Sequence, residues 1–203
     1  ILARHPSTAK FIATKLVRHF GSDNPPPALV DRVAKTYMKT NGDIRESLKA
    51  IFFSDELYSA EAYRAKISRP FELVISAIRT LGADTNGGPG THQWLARMGE
   101  PLYGFQTPNG YSDSSESWVN TGGLLERMNF GLALAGNRVQ GTRVNLASAN
   151  GDQSKVLDEY LKTILAGEIS ASTKEALMKQ LGQSDPATKV VGLILGTPEF
   201  QRQ

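Results

Sequence analysis

The sequence contains no cysteine in 203 residues. Disulfides, thiolate metal sites and cysteine nucleophiles are therefore excluded. A cysteine-free chain is compatible with export without establishing it. Histidine is scarce too, with only His5, His19 and His92. None falls in an H-E-x-x-H or similar spacing, and His5 and His19 flank one helical stretch from opposite ends. No zinc-type ligand set exists, so no metal is expected. There is no run of 18 apolar residues, hence no membrane-spanning helix. Five like charges never occur in a row, and 23 Lys+Arg against 20 Asp+Glu leave a net charge of only +3. So small and dispersed an excess does not make a nucleic-acid footprint. No G-x-S-x-G elbow is present. The glycines of Asn86-Gly87-Gly88-Pro89-Gly90 follow no strand and precede no Lys-Ser or Lys-Thr, so a phosphate loop is not expected. No cofactor is expected. The chain opens on Ile1 without an initiator Met, and the expectation is a piece of a longer protein whose targeting signal is not visible.

What is present is a helical pattern over an ordinary composition, 40% hydrophobic and 21% charged, which supports a true core. Ala9, Ile12, Ala13, Leu16, Val17 and Phe20 repeat at helical spacing over 6–20, with Pro6 in the first turn and Gly21 as the stop. A second helix follows the Pro25-Pro26-Pro27 turn to about Thr40, burying Leu29, Val30, Val33, Ala34, Tyr37 and Met38. Asp43, with Glu46 three residues on, caps a third helix through Phe53, a cap worth roughly 1 kcal/mol. A fourth starts near Pro70. Helices are further expected at 92–98, 114–120, 121–136, 152–166 and 173–181. The last apolar helix is read from Ser184-Asp185-Pro186 to Leu195, followed by a capped turn at 196–200. The stretch 137–150 reads as a polar surface loop. The fold expected is all-α, an irregular multi-helix bundle of about nine or ten helices with one long ordered loop. It is read as a single domain over 1–203, with a subdivision into 1–82 and 114–203 joined by loop-rich 83–113.

The loop is where a site is expected. Segment 100–113 is long, and its aromatic content argues against disorder. Tyr103, Asn109, Tyr111, Asp113, Trp118 and Arg127 form the candidate ligand-binding set, because rings beside amide and charged groups suit stacking on sugars or peptides. Asp113 and Glu116 also read as a helix cap with its first-turn partner. Trp118 also reads as a core anchor, and Arg127 as a group that ties down loop carbonyls.

The segment His5-Pro6-Ser7-Thr8-Ala9-Lys10-Phe11-Ile12-Ala13-Thr14-Lys15-Leu16 resembles the helix signature of an uncharacterised bacterial family, domain of unknown function 1800. Gly42-Asp43-Ile44-Arg45, Ser54-Asp55-Glu56, Lys66-Ile67-Ser68-Arg69-Pro70-Phe71-Glu72, the segment 101–118 and Gly196-Thr197-Pro198-Glu199-Phe200-Gln201 carry the same resemblance in the same order. It implies that about the N-terminal half of the full protein is missing. It also implies a periplasmic or extracellular location. A partner is implied from the neighbouring family, domain of unknown function 1501, which resembles sulfatases and phosphatases. No catalytic residue carries over. The function expected is a structural or protein-interaction domain that packs on the missing half, with Phe11 as a contact. The alternatives are a carbohydrate- or peptide-binding module built on the aromatic loop, and part of a hydrolase completed by the missing half.

Overall fold

A computed structural model describes residues 1–146, 152–182 and 186–203. It has ten α-helices among the described residues, with one two-stranded ladder, and is all-α in class. The chain forms two compact units, Ile1–Lys66 with Gln203, and Ile67–Arg202.

The first unit is built from α1 (Pro6–Phe20), α2 (Pro27–Lys39) and α3 (Ile44–Phe52). Ala9, Ala13 and Val17 are the buried stripe of α1, and the two alanines let α2 approach closely. Ala13 and Val17 join Leu29, Val30, Val33 and Ile51 in one core. Phe20 and Met38, expected inside, lie at the edges of their stripes and stay exposed. Phe20 meets Phe52 edge to face at 5.0 Å instead. The caps follow from local chemistry. His5 Nδ1 accepts from Ser7 N at 3.1 Å, and Asp43 Oδ1 accepts from Glu46 N at 3.1 Å. Glu46 completes no box in return; its carboxylate takes Lys49 Nζ at 2.7 Å.

The second unit holds α4 (Pro70–Thr80), α5 (Pro89–Arg97), α6 (Thr121–Ala135), α7 (Gln153–Leu165), α8 (Ala171–Gln180), α9 (Ala187–Leu195) and α10 (Pro198–Gln201). Two apolar clusters share α9. Val191 and Leu195 pack with Leu73, Val74, Leu95, Phe130 and Leu134. Val190 and Ile194 pack with Val156, Leu157, Leu161, Leu165 and Leu177. A helix buried from both sides has no polar face to offer, which is why Val190–Leu195 is apolar all round. Its crossing with α6 is glycine on glycine. A Cβ on Gly131 would stand 2.8 Å from the carbonyl oxygen of Gly192, and one on Gly192 would stand 2.8 Å from Leu132 Cα.

Three departures from expectation have physical causes. Helix α5 begins at Pro89, not near His92, so Gly90 is helical. It is glycine because the Gln140 backbone passes where a Cβ would lie. Part of the expected surface loop is structural: Thr142–Arg143 (β2) pairs antiparallel with Asp84–Thr85 (β1), and Val139, Thr142 and Val144 are buried. Asn137, at φ 56, clamps this segment: its Oδ1 accepts from Val144 N at 2.6 Å and its Nδ2 donates to Val144 O at 3.0 Å. A two-residue ladder is too short to show period-2 alternation. The remainder of that loop, 147–150, lies outside the described residues, as do Ser184 and Asp185 at the expected start of α9. Finally, 114–120 is not a helix but a 3₁₀ turn, Ser115–Ser117, because Asn120 is extended and caps α6 through Gly123 N at 2.8 Å.

Candidate functional site

The loop from Gly99 to Trp118 packs on itself. Gly99 and Gly110 adopt positive φ, as does Tyr103 at φ 57. The Tyr111 hydroxyl donates to Pro101 O at 2.6 Å, and Trp118 Nε1 donates to Ser112 O at 3.1 Å. The Tyr111 ring stands between Phe105, at 4.7 Å, and Trp118, at 5.8 Å. Both polar handles are thus spent on the loop's own backbone, the economy of a compact loop packed by its own side chains. Trp118 is buried, Tyr111 half-buried and Tyr103 fully exposed. Asn109 is exposed and its Oδ1 accepts from the Thr107 hydroxyl. Asp113 is half-buried and already engaged. The N-cap residue of the following turn is Ser114, whose N–H donates to Ser112 Oγ at 3.1 Å. Replacing Tyr111 with phenylalanine will therefore cost about 1 kcal/mol in urea denaturation, the worth of one intramolecular hydrogen bond. A loss near zero would show that the hydroxyl does not hold the loop.

Arg127, on α6, does not reach a loop carbonyl. Its Nη1 donates to Gln201 Oε1 at 3.3 Å, while Nε and Nη2 meet no acceptor. The side chain is only 1% exposed. Burial pulls its guanidinium below the ordinary arginine value, and the fields of Glu100 and then Glu72 pull the other way. Those carboxylates serve the start of α4. Glu72 Oε2 accepts from Arg69 N at 2.7 Å, and Glu100 Oε2 accepts from Phe71 N at 2.9 Å. Arg69 lies 3.6 Å from Glu72 and 3.5 Å from Glu100. A chain of contacts links this centre to the loop: Ser68 N donates to Gln201 O at 2.8 Å, and Ile67 N to Ser115 Oγ at 3.3 Å. The arrangement is a buried charge network that seats the first turn of α4. Of the expected site residues, Tyr111 and Trp118 meet directly, whereas Arg127 belongs to this separate centre.

A second feature was not expected. A hollow of about 340 Å³ opens between α5 and α6, lined by Trp94, Arg97, Glu126, Asn129, Leu132, Ala133 and Arg138. The Arg97 guanidinium lies over the Trp94 ring, 4.8 Å from its centroid. Arg138 Nη2 donates to Leu132 O at 3.3 Å. The spacing i, i+3 places Trp94 with Arg97 on one helix face and Glu126 with Asn129 on another. That two faces from distant stretches converge is a tertiary fact with no local signal. Among the described residues no group of His, Cys, Asp and Glu is arranged to hold a metal ion.

The family model described as "Protein of unknown function (DUF1800)" matches residues 1–202. No curated protein and no solved structure matches the chain.

Proposed function

We propose that this chain, which belongs to the DUF1800 family, is a helical protein-interaction domain whose docking face is the N-terminal half of α6. One observation carries the reading. Helix α6 buries Arg127, Phe130, Gly131 and Ala133–Ala135, yet Leu124, Leu125 and Met128 stand 40%, 58% and 45% exposed on one side of it. Positions i, i+1 and i+4 form one contiguous face. Single exposed apolar residues need no explanation, but an aligned set of three does. The occupant we propose is the N-terminal half of the same polypeptide, with an exported protein of the neighbouring sulfatase-like family as a further partner. Phe11 on α1, 61% exposed, is a second contact for that half.

The test is a double substitution, Leu125→Glu with Met128→Glu. Because both side chains are exposed, the isolated 203-residue chain will keep its stability to within about 0.5 kcal/mol. Its affinity for a separately produced N-terminal half, followed by calorimetry, will fall at least about tenfold, since a buried unpaired charge is not tolerated at an apolar contact. Wild-type halves that do not associate, or a double variant that binds as tightly as wild type, would overturn the reading. So would self-association of the chain through this face in light scattering.

A further inference from the structure

We propose that the hollow between α5 and α6 binds a small zwitterion of the amino-acid class. The inference is independent of the docking face and rests on other residues. The hollow contains a carboxylate and two guanidinium groups that do not neutralise each other. Glu126 Oε2 is buried from solvent and accepts no hydrogen bond. No ion pair joins Glu126 to Arg97 or Arg138 among the described residues, because each cation is held elsewhere. The Arg97 guanidinium lies over the Trp94 ring at 4.8 Å, and the Trp94 ring is itself steadied edge-on against Phe130 at 5.8 Å. Arg138 is drawn to the Leu132 carbonyl at the end of α6. The opposite charges therefore line one hollow of about 340 Å³ without pairing, and its volume is within the size range of small-ligand sites.

A ligand that completes this arrangement needs a donor for Glu126 and an acceptor for the arginines at the same time. An ammonium group beside a carboxylate meets both demands. The carboxylate suits the planar guanidinium fork, and the ammonium suits a single buried carboxylate oxygen. Asn129 adds an amide that can donate and accept. Leu132 and Ala133 give an apolar wall for a side chain. A neutral polyol would satisfy Glu126 but leave both guanidinium groups without an anion. An anion alone would leave Glu126 facing like charge.

The experiment is isothermal calorimetry of the full chain against the twenty free L-amino acids and Gly-Gly, which separates a free amino acid from a short peptide as the source of the zwitterion. N-acetylglycine, which lacks the ammonium, and glycine methyl ester, which lacks the carboxylate, are the controls. The expected result is binding by at least one amino acid or by the dipeptide, with Glu126→Gln and Arg138→Gln each weakening it at least about tenfold. Both positions border an open hollow, and the folded state of each variant is checked by circular dichroism. Absence of heat with every probe would overturn the proposal. So would binding of glucose or inorganic phosphate as tight as that of any amino acid, or binding that Glu126→Gln leaves unchanged. None of these outcomes bears on Leu125 and Met128, so the docking proposal stands or falls separately.

Discussion

Replacing Arg127 with methionine will destabilise the second unit by about 1 kcal/mol, because the lost hydrogen bond to Gln201 and the lost field on Glu100 are partly offset by removal of the Nε and Nη2 donors that are buried without an acceptor. Methionine matches the length of the arginine stem, so packing is nearly conserved and the loss reports charge. Without Arg127, Glu100 is left only 5% exposed, with Arg69 at 3.5 Å as its remaining cation. Glu72, at 3.6 Å from the same Arg69, then competes for it. The Gln201 side chain also loses its donor and keeps only its own bond to Gly196 O at 3.1 Å. Arg127→Lys will recover only part of the loss, since an ammonium does not reproduce the planar fork. Coupling is the sharper test. In the double variant with Glu100→Gln the losses will be less than additive, because the second change removes the charge on which the Arg127 field acts. Chemical denaturation of the four proteins in the cycle measures this, and strict additivity would show that Arg127 and Glu100 do not interact.

The first unit was legible in the sequence because its elements announce themselves locally. Proline at the first turn, an Asp43 cap and a clean apolar stripe are all properties of one helix at a time. The second unit was legible wherever the same held, as in α7 and α9. It was not legible where a distant segment decides the outcome. Gly90 reads as loop glycine until the Gln140 backbone is seen to occupy its Cβ position. Val139 and Val144 read as strays in a polar loop until Asn137 folds the chain back on itself. Of the candidate site, the sequence showed that Tyr111 and Trp118 belong to an ordered loop. It could not show that their polar atoms are turned on that loop's own carbonyls. Arg127 was legible as a residue of note but not as a member of a buried charge centre, since Glu100 and Glu72 lie far from it in sequence. The hollow at Trp94 was invisible for the same reason.

The crossing of α6 and α9 yields the second large effect. Gly192→Ala will destabilise the second unit by about 2 kcal/mol, although alanine is the better helix former by nearly 1 kcal/mol. The added methyl would lie 2.8 Å from Leu132 Cα and 3.1 Å from Leu132 N. Those are backbone atoms of a packed helix, so no rotamer change relieves the clash and the two helices must separate. Separation loosens both apolar clusters at once, because α9 carries Val191 and Leu195 into one and Val190 and Ile194 into the other. The steric cost therefore exceeds the propensity gain, and the sign is set by the neighbour being main chain. Gly131→Ala on the opposite helix meets Gly192 O at 2.8 Å and Leu195 Cβ at 3.1 Å, and will cost a similar amount. Once the helices have moved apart for one methyl the second is easier to accept, so the pair will be less than additive. Gly122→Ala near the start of α6 is the internal control. Its nearest neighbour there is Asn120 Oδ1 at 3.5 Å, an ordinary contact. There the propensity term acts alone, and stability will rise by roughly 0.5 kcal/mol. A thermal or urea comparison that found Gly122→Ala and Gly192→Ala shifting stability in the same direction would mean that helix propensity, not the close crossing, governs α6 and α9.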